Sequence, residues 1–176
     1  MADITIISGT NRDDSYTLKV AQFYYSIVKE KSHNKNVWLA DFRDLPKDIA
    51  FEEVYGKRTK AFDAYVEKYI GASDKFFWIV PEYNGSFAGI TKVFIDAVHP
   101  RYFYYKKVCL VGVASGRAGN LRGIDQLAMV LQYLRMNVFY NKLPISRIEE
   151  VWSEKGPKTE EQKQAVISQI DEFLKY

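Results

Sequence analysis

Three short runs of this chain are apolar at nearly every position: Ile4-Thr5-Ile6-Ile7, Phe76-Phe77-Trp78-Ile79-Val80 and Val108-Cys109-Leu110-Val111-Gly112-Val113. A strand turns successive side chains to opposite faces, so a strand that is apolar on both faces must be covered on both. Between these runs lie longer stretches with apolar residues at helical spacing. They are Leu18, Ala21, Tyr25 and Val28; then Phe62, Tyr65, Val66, Tyr69 and Ile70; then Ile90, Val93, Phe94 and Ala97; then 121–136 and 159–174. Two further strands fall at 36–39 and 138–145. The stretch 42–56 reads as irregular, with Pro46 and Gly56 as breakers; Pro81 is expected to end the third strand and Pro100 the third helix.

Strands alternating with helices, three of them buried on both faces, specify an α/β fold: a doubly wound, five-stranded parallel sheet of flavodoxin-like order 2-1-3-4-5 with helices on both faces. The 176 residues suit one domain, 1–176, without linker, repeat or low-complexity tract. No stretch approaches the ~20 apolar residues of a membrane span. With no basic segment ahead of an apolar one at the start, a cytoplasmic protein is expected. One cysteine, Cys109, precludes an internal disulfide, and only His33 and His99 could join it on a metal. A net charge of +3, from 25 basic and 22 acidic residues, falls short of the dense basic stripe that nucleic-acid binding needs. The 13 Tyr, 11 Phe and 3 Trp are assigned mainly to the core, with some available for a flat ligand or a subunit interface.

In this architecture ligands bind beyond the carboxyl ends of the strands, near the switch point between strands 1 and 3. Three loops meet there, at 8–17, 81–89 and 115–122, and all are rich in Gly and small polar residues. The first, Ser8-Gly9-Thr10-Asn11-Arg12-Asp13-Asp14-Ser15-Tyr16-Thr17, runs into a helix N-terminus, which favours an anion. Thr10, Ser15 and Thr17 add hydroxyl donors and Arg12 a cationic fork, which together suit a phosphate monoester. The same residues also serve a bland purpose, with Asp14 or Ser15 as helix cap and Arg12 paired to Asp13. No phosphate-binding Gly-x-x-x-x-Gly-Lys-Ser/Thr, dinucleotide Gly-x-Gly-x-x-Gly or nucleophile elbow Gly-x-Ser-x-Gly occurs. A response-regulator reading fails, because Ser8-Gly9 and Val80-Pro81 stand where its acidic residues belong.

The second loop, Pro81-Glu82-Tyr83-Asn84-Gly85-Ser86, followed by a helix with Lys92 and Asp96, resembles the signature of the NADPH-dependent FMN reductase family, which includes quinone, azo-dye and chromate reductases. The first loop is similar to that family's phosphate loop, with Gly9, Arg12 and Ser15 in place, Thr10 for its Ser and Thr17 for its Asn. The third, Ser115-Gly116-Arg117-Ala118-Gly119-Asn120-Leu121-Arg122, is similar to the Gly-rich segment after its fourth strand. The resemblance covers about 4–145.

It implies FMN as cofactor, reduced by NAD(P)H and reoxidised by flavin, quinone or a similar small acceptor in a ping-pong cycle. The cofactor carries the chemistry, so no catalytic side chain and no metal are expected. The resemblance places the phosphate on Thr10, Arg12, Ser15 and Thr17, with Gly9 and Tyr16 also among the cofactor-binding residues. It places the ring edge on Pro81, Glu82, Tyr83, Asn84 and Gly85, and the pyrimidine end near Ser115, Gly116, Arg117 and Gly119. Backbone groups of a tight turn at Asn84-Gly85 suit the polar edge of a flavin, and Gly85 permits close approach. A homodimer or homotetramer is implied, with no nucleic-acid or membrane partner. The alternative is an FMN-binding electron carrier without NAD(P)H turnover. Cys109 and both histidines are assigned structural roles.

Overall fold

The computed structural model describes residues 3–55 and 57–176, so the breaker expected at Gly56 lies outside the described residues, as do Met1 and Ala2. Strand β1 (Asp3–Ser8) leads through a loop to helix α1 (Tyr16–Lys31) and strand β2 (Val37–Asp41). Helices α2 (Ile49–Glu52) and α3 (Lys60–Val66) precede β3 (Ser73–Tyr83), which turns back into β4 (Ser86–Phe87). Helix α4 (Gly89–Ala97), strand β5 (Lys107–Val113) and helix α5 (Leu121–Tyr133) follow. Then come β6 (Asn137–Val138), β7 (Leu143–Ile145), α6 (Ile148–Val151), β8 (Trp152–Ser153), β9 (Gly156–Pro157) and α7 (Glu160–Lys175).

The main sheet has the order β2-β1-β3-β5-β6, with β7 also on β5 and every one of these pairs parallel. This is the expected order, with the chain reversing between β1 and β3. Period-two alternation divides the core. Phe76, Trp78, Val80, Val108 and Leu110 face α3, α4 and α5, whereas Phe77, Ile79, Cys109, Val111 and Val113 face α1 and α7. Each helix presents one apolar stripe to one of these layers, which is what buries a strand on both faces.

Three details depart from the sequence reading. Pro81 does not end β3, which runs on to Tyr83. Ile79 C=O accepts from Gly9 N–H on the β1 side, and by alternation Pro81 faces that same side, where β1 has already ended. Its missing N–H therefore leaves no gap in the ladder. The fifth strand is two pieces, β6 and β7. Between them the carbonyl of Asn141 turns away from the sheet to accept from Gln169 Nε2 of α7 at 2.8 Å. The stretch 42–56 holds a 3-10 turn, Phe42–Asp44, and α2, which bury Phe42 and Ile49.

The aromatic segment after α4 also finds its place. Phe103 is buried and stacks on Trp78, with ring centroids 6.5 Å apart. Tyr104 lies against the Arg135 guanidinium at 4.7 Å. Both lie near the amino end of the sheet, where Lys107 begins β5 beside Lys75 of β3. His99 accepts from Arg101 N–H as the cap of the 3-10 turn Pro100–Tyr102, and Cys109 is fully buried in the core.

Candidate functional site

Beyond the carboxyl ends of β1, β3 and β5 lies a cleft of about 290 Å³. Ser15 caps α1, its hydroxyl accepting from Leu18 N–H at 3.2 Å. That cap begins the first turn, whose leading amides have no partner within the helix and whose residues Tyr16 and Thr17 line the cleft. The first loop is fixed at its base by Gly9. Its amide donates to Ile79 C=O at 2.8 Å, and its carbonyl accepts from Thr91 Oγ1 at 2.9 Å. A Cβ there would meet Val80 Cγ1 at 2.8 Å, so only glycine lets the loop cross β3 this closely.

The second loop is a two-residue hairpin. Glu82 pairs with Phe87 and Tyr83 with Ser86, leaving Asn84 (φ 53°) and Gly85 (φ 76°) at its tip. Two successive positive φ values make the tight turn that Asn-Gly encodes. No atom lies within 4 Å of where a Cβ on Gly85 would sit, so a flat molecule can approach the turn directly. Thr10 and Tyr83 hydroxyls bond at 2.9 Å and join the first two loops.

The third loop is exposed over 115–118 and packed at Gly119 and Asn120. A Cβ on Gly112 of β5 would meet Gly119 C=O at 2.2 Å, and one on Gly119 (φ 58°) would meet Pro144 Cβ at 2.7 Å. Asn120, fully buried, donates from Nδ2 to Val80 C=O at 3.0 Å. Gly116 C=O accepts from Arg147 N–H, and Arg117 C=O from Ser146 Oγ at 2.8 Å.

Of the expected residues, Arg12, Ser15, Tyr16, Thr17, Pro81, Glu82, Tyr83 and Ser115 line the cleft together. Gly9 and Thr10 shape its base, Asn84 and Gly85 form the hairpin tip beside it, and Gly116, Arg117 and Gly119 lie behind it toward β7 and α6. The lining also includes Asp14, Val113, Ala114, Ile148 and Glu149, which the sequence reading missed. Val113 and Ala114 follow from the rule that strand ends carry the site. Glu149 has no local signal. Backbone bonds from Ile148 N to Ala114 C=O and from Arg147 N to Gly116 C=O, both 3.1 Å, bring it there.

The charges are mixed. Arg12 supplies the cation, while Asp14, Glu82 and Glu149 supply carboxylates. Asp14 is paired with Lys19 at 3.0 Å. Glu149 accepts from Ser115 Oγ at 2.5 Å. That bond, then its own backbone amide and the Arg12 charge, hold its carboxyl below the usual range. Among the described residues there is no cluster of His, Cys, Asp and Glu suited to a metal, and no helix long and apolar enough to cross a membrane.

Comparison with known proteins gives concordant results. The family model for NADPH-dependent FMN reductase matches residues 2–150. An NAD(P)H-dependent FMN reductase of Pseudomonas aeruginosa is 28% identical over 170 residues, covering 93% of this chain and 88% of that one. A flavoenzyme NAD(P)H:(acceptor) oxidoreductase of Paracoccus denitrificans superposes with TM-score 0.76 at 18% identity, covering 100% of this chain and 97% of the other. An oxidoreductase of Corynebacterium diphtheriae superposes with TM-score 0.80 at 17% identity, covering 99% and 96%. At these identities the two structures speak for the fold.

Proposed function

This chain belongs to the NADPH-dependent FMN reductase family, and from that premise we propose that it is an NAD(P)H-dependent oxidoreductase whose cleft at the ends of β1, β3 and β5 holds FMN. The observation that carries the placement is the Thr10–Tyr83 hydroxyl bond, which joins two loops 73 residues apart beside the first turn of α1. The residues present fit the group. Ser15 and Thr17 hydroxyls, the first-turn amides and Arg12 are donors for a phosphate. The open Asn84-Gly85 tip offers main-chain groups to the polar edge of a flat ring, and Tyr83 its planar face.

When bound, FMN supplies the hydride-accepting and electron-donating chemistry. The chain supplies binding and orientation. Arg12 and the α1 terminus anchor the charged end, and the hairpin fixes the ring's edge and tilt. The Gly112–Gly119–Asn120 packing keeps the third loop against the strand ends, so the wall of the cleft does not sag toward the ligand. No side chain needs to move a proton for a hydride to pass, so the absence of a histidine among the lining residues is no obstacle. A cleft open on one side admits NAD(P)H and a small acceptor in turn, and ping-pong kinetics are expected. The electron-carrier alternative is not favoured, because the family and the Pseudomonas aeruginosa relative are reductases by name.

The reading extends to assembly and compartment. Residues 1–176 are taken as one working unit, and the reducing cytoplasm, where NAD(P)H is at hand, as its setting. A groove of about 550 Å³ between α4 and α5 carries exposed Met129 and Tyr133, with Lys92 and Asp96 at its rim. Lys92 and Asp96 pair with each other at 2.7 Å, and the exposed apolar surface beside them supports a homodimer, alone or within a homotetramer.

The test is a titration with FMN and with riboflavin, followed by anaerobic addition of NADPH or NADH. A perturbed flavin spectrum that bleaches on adding the reductant is expected. Arg12→Ala should weaken FMN by on the order of tenfold and leave riboflavin unchanged, as loss of one charge-assisted hydrogen bond implies. A wild-type protein that perturbs neither flavin spectrum rules the reading out.

A further inference from the structure

The cleft that would receive the FMN phosphate is not a simple cationic pocket. Arg12 is the cation among its lining residues, and Glu149 and Glu82 line the same walls. Asp14 is compensated by Lys19. Glu149 and Glu82 are not: among the described residues no cation lies within 4 Å of either carboxylate, and of the two Glu149 is the one held in place by a side-chain hydrogen bond. Its position is built in. The Ser115 hydroxyl holds the side chain at 2.5 Å, Lys158 Nζ holds its backbone carbonyl at 2.7 Å, and the neighbouring Ile148 and Arg147 amides are tied to the carbonyls of Ala114 and Gly116. The carboxyl stays ionised below the ordinary pH range of a glutamate, Arg12 contributing to that effect. Glu149 and an incoming phosphate would therefore share one cleft in which Arg12 is the cation.

We propose that Glu149 is a specificity-determining residue of the cleft: its fixed negative charge opposes the FMN phosphate, so the site grades flavins by their charge. This rests on the reading that flavin binds here. A phosphate dianion placed near Arg12 feels a carboxylate across a half-open cleft. There the repulsion is reduced by solvent but not abolished, and salt reduces it further. Riboflavin has the same ring without the phosphate and is indifferent to that charge. The ratio of the two affinities isolates the electrostatic part.

The experiment is equilibrium titration of wild type, Glu149→Gln and Glu149→Ala with FMN and with riboflavin, at low and at high salt, read by flavin fluorescence. Both variants should tighten FMN by on the order of fivefold relative to riboflavin at low salt, with the gain shrinking as salt rises. The alanine variant separates loss of charge from the donor that the glutamine amide would add. An FMN-to-riboflavin ratio unchanged in both variants, or FMN weakened by either, overturns the assignment while leaving the flavin site standing. If the wild type binds neither flavin, the site reading fails and this inference fails with it.

Discussion

At the scale of single residues, the site is made by glycines that differ in what surrounds them. Gly112 faces the Gly119 carbonyl at 2.2 Å from an added Cβ, and neither backbone can move without shifting β5 or the third loop. Gly116, in the same loop, has nothing within 4 Å. Gly112→Ala should therefore cost at least the ~1–3 kcal/mol typical of overpacking, whereas Gly116→Ala should fall within about 0.5 kcal/mol of wild type. Urea unfolding measures both, and equal effects would contradict the packing described. The motif Gly-Arg-Ala-Gly was visible in the sequence as a Gly-rich loop near a ligand. That its glycines serve close packing of backbone on backbone was not, because the contact partner of Gly119 is 25 residues further on, at Pro144. Arg12 and Glu149, which divide the charge of the cleft, differ in the same way. One sits in a readable loop, and the other arrives from a short helix with no motif of its own.

At the scale of elements, helix ends carry the local information. Ser15, Thr59 and Thr159 each accept from an amide three residues on, as capping residues do. The carboxyl end of α7 is held differently. Lys75 of β3 donates to Phe173 C=O at 3.1 Å and Leu174 C=O at 2.8 Å. Burial, with Lys35 and Lys107 adding to it, brings its amine from 10.5 down to about 8. A lysine depressed in the fold is penalised while charged. The penalty is fully present below about pH 8 and is relieved as pH rises toward the unfolded value. The stability of wild type relative to Lys75→Met should accordingly increase between about pH 7 and about pH 10, measured by denaturant unfolding at each pH. A difference that stays flat or falls would show that the carbonyl bonds outweigh desolvation. Pro81 belongs to this scale too. It reads as a stop, but a proline ends a strand only where its missing N–H faces a partner, and here the neighbouring strand has already turned away.

At the scale of the whole molecule, two helical layers bury one sheet from both sides and leave the α4–α5 groove as an exposed apolar surface. Tyr133, 87% exposed, and Met129, 63% exposed, flank it. If a second copy covers this groove, Tyr133→Glu should convert the oligomer to monomer, as read by light scattering, with flavin binding tested in the same sample. An unaltered mass would move the interface elsewhere.

The layer architecture, the strand order, the start of α1 and a tight turn at Asn84-Gly85 were legible in the chain, because each depends on periodicity or on a turn residue acting within a few positions; that β3 runs past Pro81 and closes a hairpin with β4 was not. The chain also carried the family resemblance, through three loops that are local in it. How those loops come to share one wall was set by tertiary packing. The Thr10–Tyr83 bond, the crossing of Gly9 over Ile79, the seat of Gly119 on Pro144 and the arrival of Glu149 in the cleft that Arg12 also lines all join residues far apart in sequence. Such contacts follow from the packing of completed elements against one another, and no spacing along the chain encodes them.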